Sequence, residues 1–234
     1  LVGDDPASHV YVRNKAKACN EVGVHSITKN LSKDITEEEL LSEIERLNND
    51  PQYHGILVQL PLPPQIDPQK IIESISPEKD VDCFHPFNVG RLMIGMPVFL
   101  PATPAGILEL LKRYQISPSG KHLVIIGRSN IVGKPLANLC VQKTAQSNAI
   151  VTVVHSAAKD VAHFTKQADI LVAAMGKPGF VRAGMVKDGA VVIDVGTNRV
   201  EAPETKKGYR LVGDVAFDEV AEVASFITPV PGGV

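Results

Sequence analysis

Several short stretches of this chain carry side chains that could do chemistry. Tyr11-Val-Arg-Asn-Lys15 places an aromatic ring and an ammonium four residues apart, on one face if the segment is helical. Such an ammonium can donate a proton or, once desolvated, act as a base; the same spacing also describes a surface lysine lying along an apolar face. Gln59 is a polar side chain near the end of the apolar run Gly55-Ile-Leu-Val-Gln-Leu60, just before the proline-fixed Pro61-Leu-Pro-Pro64. Pro77-Glu-Lys-Asp80-Val-Asp82-Cys83-Phe-His85 holds two carboxylates two residues apart, which face the same way in an extended segment. Either could instead cap a turn.

The most pronounced local pattern is Leu123-Val-Ile-Ile-Gly127-Arg128-Ser129-Asn-Ile-Val-Gly133-Lys-Pro135. It reads as a buried strand that breaks at a glycine and restarts as a helix near Val132. Free N–H groups at a helix start attract anions, here a cofactor pyrophosphate, and glycines let the backbone come close. Ser129 occupies the place of the second glycine of GxGxxG, so the pattern also fits an ordinary strand–turn–helix. After the next strand, Ile150–Val154, an NAD-binding unit carries an acidic residue for the ribose hydroxyls. This chain has His155-Ser156 there and no carboxylate before Asp160. With Arg128 in the first turn, that favours NADP, with Arg128 and Ser156 as phosphate-binding candidates. Ala173-Ala-Met-Gly176-Lys177-Pro178 and Asp194-Val-Gly196-Thr197-Asn198 likewise leave the C-terminal ends of strands, where ligand loops gather. Gly176 and Gly196 fit plain tight turns equally well. The seven histidines form neither HxxxH nor a His/Cys cluster, so no metal site is expected. No GxSxG or paired Cys/His motif offers a nucleophile.

The elements that must position these residues alternate between apolar strands and amphipathic helices, the pattern of an α/β protein. A helix is expected from Ser8 to Val22, then a strand and loop from Val24 to Leu31. Thr36-Glu-Glu-Glu39 is a capping box opening a helix through Leu40, Ile44 and Leu47. Gly55–Leu60 reads as a strand buried on both faces of a parallel sheet. Ten of the seventeen prolines lie from Pro51 to Pro104, so rigid loops are expected there around a single short helix, Gln69 to Ile75. A helix from Ala105 to Tyr114 leads to strands at Leu123–Ile126, Ile150–Val154, Asp169–Ala173 and Val191–Val195. A boundary near residue 103 separates domains 1–103 and 104–234, each with a parallel sheet and a ligand cleft between them.

Composition bounds the partners. The chain has 234 residues, 44% hydrophobic and 21% charged, enough apolar side chains for one large core or two modest ones. Lys and Arg total 24 against 26 Asp and Glu, a net charge of −2, which lacks the basic excess of nucleic-acid binders. Apolar runs stop far short of the ~20 residues that cross a bilayer, so no membrane partner is expected. Three cysteines without CxxC spacing fit reduced thiols in a cytoplasmic compartment, or an organelle if the source is eukaryotic.

With these pieces in order, the sequence resembles the bifunctional methylenetetrahydrofolate dehydrogenase/methenyltetrahydrofolate cyclohydrolase family nearly end to end. The resemblance is carried by Pro6–Lys15, Gly55–Pro63, Pro77–Asp82, Asn88-Val-Gly-Arg-Leu92, Pro101-Ala-Thr-Pro104, Gly127–Gly133, Gly213-Asp-Val215 and Ile227–Gly233. It implies an N-terminal folate-binding α/β domain and a Rossmann-like NADP-binding domain in a homodimer. The implied activity is oxidation of 5,10-methylenetetrahydrofolate with NADP, followed by hydrolysis to 10-formyltetrahydrofolate, in one-carbon metabolism and purine biosynthesis. By the same resemblance Lys15 is the key catalytic group, Gln59 assists it, Asp82 holds the pterin, and Tyr11 packs on the folate rings. Pro231 and Gly232 complete the substrate set, and Gly127, Arg128, Ser129, Ser156 and Thr197 contact NADP.

Two departures stand out. Cys83 follows Asp82 where the family usually has glycine, which strains the loop if that position has φ > 0. Thr197 stands where isoleucine is common, a change expected to be tolerated because the contact is partly through the backbone. A monofunctional dehydrogenase or a non-catalytic nucleotide-binding protein of the same fold are the competing readings. The chain opens on Leu1 and ends on Pro231-Gly-Gly-Val234; the resemblance implies that it is an interior portion of a longer protein, with a further strand and helix before Leu1 and a helix after Val234.

Overall fold

A computed structural model describes residues 1–205 and 208–234. It divides into two units, Leu1–Gly90 and Arg91–Val234. The division falls ahead of the boundary expected near residue 103.

In the first unit α1 (Pro6–Glu21) begins where Asp5 accepts a hydrogen bond from the Ser8 N–H at 2.7 Å and Pro6 opens the first turn. α2 (Glu37–Asn49) has the expected capping box: Thr36 Oγ1 accepts from the Glu39 N–H, and Glu39 Oε2 accepts from the Thr36 N–H. Its apolar stripe buries Leu40 and Ile44 against Ile71 of α3 (Pro68–Ser74), with Val2, Ile56, Ile66 and Ile75 completing this core. A further helix, α4 (Pro86–Met93), corrects the expectation of a single short helix in the proline-rich stretch. Its signal was Pro86 in the first turn, preceded by His85, whose Nδ1 accepts from the Phe87 N–H.

The expected strands of this unit do not form. Gly55–Leu60 makes one parallel bridge, Ile56 to Asp80, with the Ile56 N–H donating to the Lys79 carbonyl at 2.7 Å. Val24–Leu31 contributes only a bridge between Leu31 and Val2. An apolar run records burial, and Ile56 is buried; a ladder also needs a partner segment in register, and Gly55–Leu60 finds one only at Asp80 among the described residues. Among the described residues the parallel sheet therefore belongs to the second unit alone.

That unit starts with α5 (Ala102–Arg113) and continues through β1 (His122–Ile126), α6 (Gly133–Cys140), β2 (Ile150–Val154), α7 (Val161–Thr165), β3 (Ile170–Ala173) and β4 (Val191–Asp194). A hairpin not expected from the sequence, β5 (Asn198–Glu201) with β6 (Tyr209–Val212), is followed by α8 (Phe217–Ala221) and β7 (Phe226–Ile227). The sheet is parallel in the order β2-β1-β3-β4-β7. β1 and β3 are almost continuously buried, as strands covered on both faces must be. Register pairs Ile126 with Val154 and with Ala173, and Ala173 with Asp194. The loops opening at Gly127, His155, Ala174 and Val195 thus leave one edge side by side.

Candidate active site and cofactor loops

In the first unit the predicted catalytic side chains converge. Lys15 Nζ on α1 donates to Gln59 Oε1 at 3.2 Å. Gln59 Nε2 donates in turn to the Leu60 carbonyl at 2.8 Å, which fixes the amide with its oxygen toward the amine. Asp82 is half-buried, and burial pushes its carboxyl above the usual range; the nearby Lys15 charge pulls it down and Asp80 pushes it further up. Tyr11, one helical turn before Lys15, is 53% exposed and presents its ring to solvent. Lys15 is also exposed.

The two carboxylates of the Pro77–His85 stretch have separate tasks. Asp80 is 3% exposed and caps the turn: its carboxylate accepts from the Phe84 and His85 N–H groups at 3.3 and 2.9 Å, and from Asn88 Nδ2 at 2.9 Å. Asn88, wholly buried on α4, also donates to the Pro77 carbonyl at 2.8 Å. This hub shapes the segment from which Asp82 projects. Cys83, next in sequence, has φ +59° and is 2% exposed. The left-handed backbone that strains any side chain here is therefore real. Burial, then the Asp80 charge, push its thiol up to about 11, which makes it an inert packed group.

The second unit brings Gly127, Arg128, Ser129 and Ser156 to the C-terminal ends of β1 and β2. Gly127 has φ +128°, and a Cβ there would lie 2.2 Å from the Ala174 carbonyl oxygen. A Cβ on Gly133 would lie 2.2 Å from the Gly127 oxygen, so strand and helix cross as closely as two glycines permit. Ser129 Oγ accepts from the Val132 and Gly133 N–H groups at 3.0 and 3.4 Å. Two of the helix-start donors expected to attract an anion are thus already engaged, and Ser129 shapes the turn. Arg128 and Ser156 are exposed, with Arg128 Nη1 3.4 Å from His155 Nε2. An exposed guanidinium and hydroxyl beside a glycine turn, with no carboxylate before Asp160, fit the 2′-phosphate of NADP.

Thr197 is exposed beyond β4, two strands away from β1 in the sheet order. Pro231 and Gly232 are exposed in the turn after β7, within the second unit. Sequence reasoning missed Asp194 and Asp214, buried polar residues between the loops at this edge. Their signal was a carboxylate closing an apolar strand, Val191-Val-Ile-Asp194, and another following a glycine in Gly213-Asp214. No described helix is long and apolar enough to cross a membrane.

Comparison with known proteins places both units. Residues 1–82 match the family model described as tetrahydrofolate dehydrogenase/cyclohydrolase, catalytic domain, and residues 101–234 match the corresponding NAD(P)-binding domain. The chain is 61% identical over 236 aligned residues to the bifunctional protein FolD of Chlorobium phaeobacteroides, covering 100% of this chain and 80% of that one. The FolD of Chloroherpeton thalassium is likewise 61% identical, with the same coverage. Among solved structures, the bifunctional FolD dehydrogenase/cyclohydrolase of Campylobacter jejuni superposes with a TM-score of 0.92 at 50% identity, covering 100% of this chain and 79% of that one. The Trypanosoma brucei dehydrogenase-cyclohydrolase complexed with NADP cofactor and inhibitor gives a TM-score of 0.91 at 45% identity, covering 99% and 78%.

Proposed function

This chain belongs to the tetrahydrofolate dehydrogenase/cyclohydrolase family, an NADP-dependent methylenetetrahydrofolate dehydrogenase that also hydrolyses the methenyl product, and from that premise we propose how its residues divide the work. Residues 1–103 carry the folate chemistry and residues 104–234 the cofactor. The observation that carries this reading is the hydrogen bond from Lys15 to Gln59 beside the half-buried Asp82.

Asp82 accepts hydrogen bonds from the pterin amino group and ring N–H, a match for an acceptor-only carboxylate. Tyr11, on the same face of α1 as Lys15, stacks on the folate rings. Lys15 orients the water that attacks the methenyl carbon and takes its proton as the C–O bond forms; the C–N5 bond then breaks as that proton passes to N5 and the new hydroxyl loses its own to solvent, leaving the formyl group on N10. Gln59 holds the amine without adding a charge, leaving the proton free to move. Arg128 and Ser156 hold the 2′-phosphate, while Gly127, Ser129 and Thr197 line the cofactor edge. Bound NADP supplies the hydride acceptor for the oxidation. That step needs little acid–base help, because the folate nitrogen lone pair expels the hydride; the protein's part is to orient the reacting carbon.

The enzyme is proposed to work as a cytoplasmic homodimer. Support comes from the free thiols and from edge strand β2, where Ile150 is 62% exposed, an apolar surface a second copy would cover; sedimentation tests the dimer. The decisive assay follows methenyl absorbance after NADP is added to enzyme and methylenetetrahydrofolate. A transient that decays supports the bifunctional assignment; stable accumulation indicates a dehydrogenase alone, and no signal a non-catalytic relative.

A further inference from the structure

The Gly213-Asp-Val215 motif and Gly196 have no task in the reaction just described, yet they meet at the centre of the second unit's loop edge. Asp194, 3% exposed, ends β4, and Asp214, 0% exposed, follows β6. Asp194 Oδ1 accepts from the Asp214 and Gly196 N–H groups at 2.9 and 3.1 Å, and Oδ2 accepts from the Val215 N–H at 2.9 Å. Asp214 Oδ2 accepts from the Met175 and Gly176 N–H groups at 2.7 and 2.9 Å. Its Oδ1 accepts from the Lys177 N–H at 2.7 Å and Asn198 Nδ2 at 2.9 Å. The first carboxylate therefore anchors the backbone of the second, and the second anchors the loops after β3 and β4.

The glycines follow from this. A Cβ on Gly213 would lie 1.7 Å from Asp194 Oδ2, and one on Gly196 would lie 2.2 Å from Asp214 Cγ. Both positions are glycine so that a carboxylate can lie against the backbone. Three successive N–H groups, Met175 to Lys177, form an anion-binding concavity of the kind that elsewhere takes a phosphate. Here the protein's own carboxylate fills it. A buried charge with no lysine or arginine ion-paired to it, among the described residues, is stable only while those donors stay in place. The pair thus defines one arrangement of three loops.

We propose that Asp194 and Asp214 are positioning residues for NADP: they set the shape of the 174–178 and 195–198 loops and never touch the cofactor. This rests on the cofactor reading of the sheet edge given above.

The test uses the whole chain, with NADP titrations of methylenetetrahydrofolate oxidation beside hydrolysis of methenyltetrahydrofolate assayed without NADP. Asp214→Asn turns an amide NH2 toward the Lys177 N–H and Asn198. Losing two charge-assisted bonds should raise the NADP KM by about tenfold or more, with kcat at saturating NADP changed by less than about threefold. Hydrolysis should change by less than about twofold, a split that general destabilisation does not produce. Asn198→Ala removes one donor and keeps the carboxylate, so its KM should rise by about threefold; it carries the test if Asp214→Asn does not fold. Adding Asn198→Asp to Asp214→Asn restores an acceptor opposite the new amide and should recover part of the NADP affinity. An unchanged NADP KM in folded Asp214→Asn, or in Asn198→Ala if the former does not fold, overturns the proposal. So does an equal loss of both activities. Arg128→Ala separates the two levels: if it too leaves the NADP KM unchanged, the cofactor reading falls with the proposal, and if it alone weakens NADP, only the positioning role falls.

Discussion

Lys15 stands exposed on α1 with its amine 3.2 Å from Gln59, whereas Asp214 of the second unit is wholly buried and meets four donors. In the first unit the side chains proposed to do the chemistry are tips carried on elements whose core lies elsewhere, in Leu40, Ile44 and Ile71. In the second, loop backbone at the sheet edge is held by two buried carboxylates, Asp194 and Asp214, beside the exposed side chains of Arg128 and Ser156. A tip can be removed without disturbing the fold, so its loss reads as lost chemistry. Loss of a buried anchor reads instead as altered affinity, because the loops it holds are still present but less well placed.

The largest effect should come from the exposed tip. Lys15→Ala is expected to lower methenyl hydrolysis by about 100-fold or more, the usual worth of a positioned acid or base. NADP reduction should fall much less, since the hydride step draws little on the amine. Thermal stability should stay within about 0.5 kcal/mol of wild type, as for other exposed substitutions. Parallel assays of the two activities on folded variant decide it: equal losses remove the role assigned to Lys15.

The next effect lies in the second unit. NADP should give a higher kcat/KM than NAD, and Arg128→Ala should narrow that preference by about tenfold, the worth of one charge-assisted contact to phosphate. Saturating each cofactor in turn measures both; NAD equal to or better than NADP in the wild type would refute the assignment.

Asp82 links the comparison to pH. Burial raises its carboxyl, and only the ionised form accepts both pterin hydrogen bonds, so the folate KM should rise as pH falls through a value above the ordinary carboxylate range. Lys15→Met removes the charge that lowers Asp82, so the same limb should move to higher pH. A limb that stays put in Lys15→Met would uncouple the two residues. Stability behaves oppositely at Glu43, where hydrogen bonds from Arg46, then Lys29, pull the carboxyl down to about 2. A depressed carboxyl stabilises the fold above its unfolded value of 4.5 and loses that contribution as pH falls toward about 2. Glu43→Gln should flatten the acid limb of the denaturation curve in that window; because the pair is partly solvated, the change should be small.

How much of this was legible in the sequence follows the same divide. α2 was readable because its capping box and apolar stripe are local, and β1 and β3 because burial on both faces leaves an apolar run bounded by polar residues and turns. Gly55–Leu60 has the same kind of run and makes one bridge, since pairing depends on a partner segment that local pattern does not contain. Lys15, Gln59 and Asp82 were recognisable as a set only through family resemblance; their spacing of dozens of residues has no local period. Asp214 could be seen as part of a motif, but its task could not be read there. Its meaning lies in N–H groups at residues 175 to 177, which every sequence has and only the fold aims.

The smallest effect should be at Cys83, where strain and packing oppose each other. At φ +59° a side chain costs about 1–2 kcal/mol that glycine avoids, while glycine forfeits the packing of a 2%-exposed thiol and is more flexible when unfolded. Cys83→Gly should therefore lie within about 1 kcal/mol of wild type. Cys83→Ala loses the sulfur and keeps the strained Cβ, so it should be less stable than Cys83→Gly by about 1 kcal/mol. The order of the two denaturation midpoints is the sharper reading: alanine equal to or above glycine would mean the turn after Asp82 carries no strain. Because the change is confined to that turn, the folate KM should respond to Cys83→Gly, within about twofold, while the NADP KM stays fixed.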